Sequence, residues 1–469
     1  MAGDDIALVR GVGSKVSPLV EELLKEDART TTALSAKGNY HPPAKPLDLK
    51  RYFDPAFAER ERDSLWKKVW QYACREEDIP KVGDRLPYSV GSLSYIIVRV
   101  APDQIKAYQN TCMHRATRLC DGQSTGDKIR CPFHGWEWKL DGSLNHIPSR
   151  WDFPDLRDEE FSLVEVNVAM WGGFVFINPD ANPEPLEKSL GVLQAHFKSW
   201  ALEDHFTYGH VRKKIRANWK IVMEAFLESY HTVETHRQIL NTLADASSQY
   251  DVWEDGSSHI SRLYSPMAVP SPHLGDEASV IEAAVEFARQ FQMPGIKLPE
   301  LKIDLASSLS PRAQVAQWRR SIFGLLLGRD FSDWPDALML DAIQYWMFPN
   351  FCPWYGEGGP IVYQFLPNGN NPLETIMDIR LMAPKPAKGA PPPSAPITHL
   401  DFDDSFVKKA LEFGELGLVF DQDMANIPRV QAGVMTAHEA GNKIVLGRYQ
   451  EMRIQYFHEI LNRQLGLDL

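Results

Sequence analysis

Five cysteines in 469 residues, at Cys74, Cys112, Cys120, Cys131 and Cys352, are too few and too scattered for a disulfide framework. No run approaches the ~18 consecutive apolar residues that a membrane span needs. The opening Met1-Ala2-Gly3-Asp4-Asp5 lacks the basic stretch and apolar core of a secretory leader. Basic residues are outnumbered, 50 Lys and Arg against 62 Asp and Glu, and the formal charge of -12 has the wrong sign for a polyphosphate partner. There is no internal repeat and no G-x-G-x-x-G phosphate-binding turn, so the chain carries no dinucleotide motif of its own. These absences point to a cytoplasmic protein in a reducing compartment, acting on neither nucleic acid nor membrane. With 44% hydrophobic and 11% aromatic residues, the chain can build cores for two or three domains.

Two of the few cysteines sit in a patterned stretch. Cys112-Met113-His114 and, after sixteen intervening residues, Cys131-Pro132-Phe133-His134 each pair one thiolate with one imidazole across a short loop. Two Cys and two His divide naturally between two irons, thiolates on one and imidazoles on the other, as in a Rieske [2Fe–2S] centre. A structural zinc site uses the same ligand types. Zinc fingers, however, more often keep like ligands together, whereas here each pair is mixed. Around the motif the period is two and turns are frequent: Tyr88–Val90, Tyr95–Val100, Trp136–Leu140 and Phe174–Asn178 read as strands. Asp141-Gly142 and Gly172-Gly173 read as hairpin turns. Before them, Asp54 with Pro55 starts a helix expected to run to about Ala73.

A second constellation follows. Asn218 caps a periodic helix, Trp219, Val222, Met223, Phe226 and Tyr230 forming its apolar stripe, which ends in Glu228-Ser229-Tyr230-His231-Thr232-Val233-Glu234-Thr235-His236. Histidines five apart lie about 140° apart on a helix, so they share a metal only if the helix ends or distorts between them. A Rieske cluster moves single electrons and does no chemistry, so the chain needs an acceptor. The 2-His-1-carboxylate triad, which binds Fe(II) with open positions for dioxygen, is one. His231 and His236 supply the imidazoles, and the segment Phe420-Asp421-Gln422-Asp423-Met424 offers two carboxylates. Glu224, Glu228 and His231, spaced i, i+4, i+7, are expected on one helical face, and Glu228 is placed to hold the second ring nitrogen of His231.

On these motifs the chain, from about Tyr52 onward, resembles the catalytic (α) subunit of Rieske non-heme iron oxygenases, the aromatic-ring-hydroxylating oxygenase family. The resemblance implies an α+β architecture: an all-β Rieske domain plus a catalytic domain whose antiparallel sheet wraps a long helix (helix-grip, START-like). Behind an N-terminal arm (1–50), which the resemblance does not cover, the expected division is a helix packing on the catalytic domain (51–80), the Rieske domain (81–183) and the catalytic domain (184–469). Cys112, His114, Cys131 and His134 would hold the cluster, and His231, His236 and Asp423 the Fe(II), with Asp421 as the fallback.

The implied function is that of a terminal oxygenase component. Electrons come from NAD(P)H through a separate reductase, with or without a ferredoxin, and dioxygen is inserted into a largely apolar, aromatic substrate. One departure bears on this. Glu228 stands where most ring dioxygenases carry Asp, and such variants occur among members that oxidise non-aromatic compounds, so monooxygenation or demethylation is the alternative. A non-catalytic Rieske electron carrier is the rival from another class. The family also implies a homotrimer, admits a β subunit, and gives Glu228 the bridging role between cluster and iron of neighbouring chains. Arg212-Lys213-Lys214-Ile215-Arg216 reads as a solvated basic run or a ferredoxin dock. Phe226, Leu227, Val233 and Tyr345–Phe348 read as pocket or core.

Overall fold

The computed structural model of the chain describes residues 17–38, 46–291 and 298–467, and of Asp276 and Glu277 the backbone alone. Much of the expected arm, from 1 to 16 and 39 to 45, lies outside the described residues. Contacts divide the chain into two compact units, Pro55–Leu186 with Pro367–Asn371, and Met1–Asp54 with Glu187–Leu366 and Pro372–Leu469. Among the described residues no helix is long and apolar enough to cross a membrane.

The first unit is all-β beyond its opening helix. β1 (Gln71–Arg75), β2 (Arg85–Val90), β3 (Leu93–Ala101), β4 (Gln104–Gln109), β8 (Glu165–Trp171) and β9 (Phe174–Asn178) form an antiparallel sheet in the order β1-β9-β8-β4-β3-β2. β-Branched and aromatic residues dominate it, and Ile96, Ile97 and Val98 are all buried, so this part of β3 is covered on both faces. Gly172 and Gly173, both at positive φ, close the β8–β9 hairpin as the dipeptide requires. β5 (Lys128–Arg130), β6 (Glu137–Lys139) and β7 (Leu144–His146) form a separate small sheet over the buried Trp136 and Trp138. The helix expected from Asp54 to Ala73 is shorter: Pro55–Glu61 is α-helical, one π turn covers Arg62–Trp66, and residues 71–75 become β1. Burying all five of those residues beside β9 outweighs their local helical spacing.

The second unit mixes helices and sheets. β10 (His205–Ile215), β14 (Cys352–Pro353), β15 (Ile361–Pro367), β16 (Thr375–Pro384) and β17 (Ile397–Leu400) form a sheet in the order β14-β15-β16-β10-β17, with β10–β16 and β14–β15 antiparallel and β10–β17 parallel. β11 (Gln249–Asp255), β12 (Ser258–Ser265) and β13 (Ala342–Met347) form a second, antiparallel sheet. The helices that matter for the site are α1 (Trp219–Ala225), α2 (Thr232–Thr235), α3 (Leu416–Glu439) and α4 (Met452–Leu465).

β10 corrects the reading of the basic run. Lys213 is buried and donates to three carbonyls, those of Asp401, Phe402 and Asp404. Arg212, Lys214 and Arg216 pair with Asp378, Asp401 and Asp403. A strand with alternating burial and local acidic partners leaves no free basic patch there. Tyr345 and Trp346 are likewise core: Tyr345 packs edge-on against Phe197 and Tyr355, and Trp346 against Phe457. Residues 17–38 are strapped on by buried Arg262, which bonds Asp251 and donates to the carbonyls of Ala33 (2.8 Å) and Ala36 (2.6 Å).

Candidate metal centres

Helix α1 begins where Asn218 accepts from Lys220 N (3.1 Å) and ends at Ala225, six residues before the first histidine. The i, i+4, i+7 face expected for Glu224, Glu228 and His231 is therefore absent. Instead His231 and His236 flank the single turn α2 as its first and last boundary residues. The break brings the two rings to one point, their Nε2 atoms 3.2 Å apart.

Helix α3 delivers the carboxylate. Its buried positions, Gly417, Phe420, Asp423, Ile427, Gln431 and Val434, recur every three or four residues, so Asp423 sits on the inward stripe. Asp423 Oδ1 lies 3.0 Å from His236 Nε2 and 3.6 Å from His231 Nε2. Asp421, two residues away, points elsewhere and accepts from Phe406 N (2.7 Å) and Ser405 Oγ (2.5 Å) at the start of the Phe406–Lys409 turn. Gln431 Oε1 accepts from Asn218 N (2.8 Å), tying α3 to the head of α1.

The donor set fits an ion with open positions. Ligands in adjacent positions about 2.1 Å from an octahedral metal are about 3 Å apart, close to the spacings seen. The outer nitrogens are occupied. His231 Nδ1 lies 2.6 Å from Glu228 Oε1, and His236 Nδ1 lies 2.9 Å from Gln422 Oε1. Each ring thus donates its Nδ1–H outward and turns its Nε2 lone pair to the shared point. Burial disfavours the His231 imidazolium, yet Glu228 and Asp423 outweigh it and raise the ring to about 9, as expected where carboxylates call for a positive charge. Glu224, by contrast, turns into the core, 2.8 Å from His458 Nε2.

Gln422 is the residue that sequence reasoning missed. It exchanges amide bonds with Gln238, which donates to Gln422 Oε1 (2.7 Å) and accepts from Gln422 Nε2 (3.2 Å). Asn426 adds a bond to Thr235 Oγ1 (3.3 Å). Gln422 stood between two carboxylates in the sequence and carried no signal of its own.

In the first unit, two similar turns present the other four residues. Cys112 N donates to Thr117 O and Ala116 N to Cys112 O; in the second turn Cys131 N donates to Trp136 O and Gly135 N to Cys131 O. Ala116 and Gly135 take the positive φ that closes each turn. Asn110 holds the first loop, accepting from Leu119 N and Cys120 N and donating to Cys120 O. Both thiols are buried. Burial raises Cys112; in Cys131 it opposes, but does not overcome, the N–H groups of His134 and Phe133, which lower the thiol.

The His114 and His134 rings are 4.8 Å apart, and His114 stacks on Trp136 at 5.1 Å. Arg115 Nη2 contacts His134 Nε2 (2.9 Å), so that ring edge is the outer one. His114 Nδ1 is buried and has no hydrogen-bond partner, as a nitrogen turned to a metal would be. Among the described residues only His231, His236 and Asp423 gather three donor atoms within 4.8 Å of one another. The two Cys and two His are therefore not drawn around a single zinc-sized point.

Residues 194–467 match the family model for the ring hydroxylating alpha subunit (catalytic domain), and residues 69–156 that for the Rieske [2Fe-2S] domain. The glycine betaine monooxygenase oxygenase subunit of Pseudomonas aeruginosa is 29% identical over 231 residues, 49% of this chain and 52% of that protein. The chain thus spans about half the length of the curated relatives it matches. Two solved structures share the fold. The quaternary ammonium Rieske monooxygenase CntA with its substrate L-carnitine superposes with a TM-score of 0.60 at 17% identity, covering 89% of this chain and 95% of that one. Naphthalene 1,2-dioxygenase from Rhodococcus sp. with indole gives 0.58 at 18%, covering 90% and 94%. With the catalytic-domain model matched over more than half of its length behind a Rieske domain, the chain belongs to the ring hydroxylating alpha subunit family, whose cofactors are a [2Fe–2S] cluster and a mononuclear iron.

Proposed function

We propose that this chain is the terminal component of a multicomponent oxygenase that monooxygenates a small non-aromatic cation of the quaternary ammonium class. Electrons originate on NAD(P)H and arrive through a reductase, directly or by way of a ferredoxin. The observation that carries the reading is the His231–His236–Asp423 donor face backed by Glu228, in a chain that also has a Rieske domain. When bound, the iron supplies dioxygen activation and the cluster its electrons. The residues do the rest: Glu228 and Gln422 hold the Nδ1 protons of His231 and His236, and Asp423 supplies the anionic donor.

The substrate class is read from the aromatic side chains near the triad. Phe226 packs against Tyr363 (5.2 Å), Phe365 (5.5 Å) and Phe420 (5.9 Å), and Phe420 is one turn from Asp423 on α3. Aromatic faces attract an onium group that has no N–H to solvate. The two quaternary ammonium enzymes among the relatives support the same class, as does glutamate at 228. Aromatic walls also suit an aromatic substrate, and the naphthalene dioxygenase likeness keeps that second reading. We read the working assembly as a head-to-tail homotrimer, a closed ring in which Glu228 reaches the cluster ligand His134 of the next copy.

A product assay decides. Purified protein, a surrogate reductase, NADH and labelled dioxygen are offered glycine betaine, choline and carnitine beside naphthalene and benzoate. One labelled oxygen in an ammonium-derived product is expected. A labelled cis-diol from an aromatic, with the ammonium compounds untouched, overturns the substrate class.

A further inference from the structure

Arg453 on α4 is fully buried. Its Nε donates to Ser261 Oγ (2.9 Å), and its Nη1 to Leu227 O (3.1 Å) and Gln344 Oε1 (2.9 Å). Nη2 has no hydrogen-bond partner, and no described carboxylate lies within ion-pair reach. Three other buried arginines are matched: Arg262 holds Asp251, Arg312 holds Asp341, Arg320 holds Asp336. Arg319, which also lacks a carboxylate, lies 4.4 Å over the Phe291 ring, an alternative Arg453 does not have. An unpaired buried guanidinium is costly, and burial lowers Arg453 to about 10.

Its position borders the walls described above. The Leu227 carbonyl it bonds lies between Phe226 and Glu228. Cys352 pairs with Tyr363 across β14 and β15, so those two side chains share one face of the sheet. Tyr363 packs on Phe226 at 5.2 Å and edge-on against Phe420 at 6.1 Å, one turn before Asp423 on α3. Trp354, two residues beyond Cys352, packs edge-on against Tyr363 at 5.9 Å. Its Nε1 is also buried without a partner, and its backbone bridges to Gln344, the residue that holds Arg453.

Arg453 and Trp354 thus both meet Gln344, and two donor-only groups, an indole N–H and a guanidinium, ask for an acceptor-only ligand. We propose that Arg453 and Trp354 bind the carboxylate of the substrate, so that the substrate is a zwitterion with its onium group on the aromatic walls and its carboxylate on this pair. The onium half rests on the proposed function; the carboxylate half does not.

Binding to the metal-loaded protein by calorimetry separates the two. The probes are glycine betaine, choline (onium without carboxylate) and 3,3-dimethylbutanoate (carboxylate with a neutral carbon in place of the onium). Arg453→Gln is expected to weaken both carboxylates about a hundredfold and leave choline unchanged. Trp354→Phe keeps the ring and should cost the carboxylates about tenfold, which serves if Arg453→Gln fails to fold by its cluster absorbance. If choline binds neither protein but 3,3-dimethylbutanoate still depends on Arg453, the onium reading falls and the carboxylate site stands. Carboxylates that bind wild type and both variants equally, or that bind none of them, overturn the proposal.

Discussion

Replacing Glu224 by Gln is expected to stabilise the protein, and to do so only above acidic pH. Glu224 lies almost wholly inside the second unit, with 13% of its side chain exposed. Tyr52 donates to its Oε2 (3.2 Å), and Oε1 faces His458 Nε2 (2.8 Å). Arg51 Nη1 lies 2.8 Å from His458 Nδ1, and since a guanidinium only donates, Nδ1 must accept and Nε2 must carry the proton toward Glu224. Burial, beside the Arg51 and Lys220 charges, pushes His458 well below its ordinary value, so the ring stays neutral. Without an imidazolium partner, burial raises Glu224 from 4.5 to about 8.

Such a group stabilises the fold fully below about pH 4.5, where folded and unfolded forms are both protonated, and progressively less as pH rises to about 8. At 1.36 kcal/mol per unit the loss is about 3 kcal/mol at pH 7 and about 5 kcal/mol above pH 8. Glutamine keeps the neutral shape, accepting from His458 and bonding Tyr52, and cannot ionise. Guanidinium unfolding followed by tryptophan fluorescence from pH 4.5 to 8.5 should show the variant gaining on wild type across this window. A difference independent of pH, or a variant less stable at pH 8, would refute a neutral Glu224.

Gln422→Leu removes the acceptor at His236 Nδ1, and iron affinity in chelator competition should fall about 10- to 100-fold with the cluster spectrum unchanged. An unaltered affinity would mean that Asp423 and α2 orient His236 unaided. Asp423→Ala should abolish mononuclear iron, while Asp421→Ala keeps it and costs about 1 kcal/mol for the lost cap of the 406–409 turn. Iron analysis distinguishes the pair, and the reverse result would move the triad. Glu228→Gln should keep both metals yet slow cluster oxidation in single turnover of pre-reduced protein. Equal rates would remove Glu228 from the electron path.

What the sequence by itself determined was chemistry written in short spacing. Cys112-x-His114 and Cys131-x-x-His134 are turns that close locally, so ligand type and loop length could be read together. Hairpins at Asp141-Gly142 and Gly172-Gly173 were legible for the same reason, since a positive φ is demanded of a residue and not of its surroundings. The pairing of His231 with His236 was half legible: the spacing required a break, but the helix ends at Ala225, earlier than a break between the histidines would put it. Only tertiary structure brings Asp423 and not Asp421 beside the two histidines, because two residues on one helix differ by which face meets the core. It also decided that a five-residue basic run is a strand with buried Lys213 and acidic neighbours, and that Gln422 rather than a carboxylate backs His236. Arg453 illustrates the limit most plainly. Nothing around position 453 marks it in the sequence, and its unpaired charge arises from four segments that are distant in the chain and meet only when it folds.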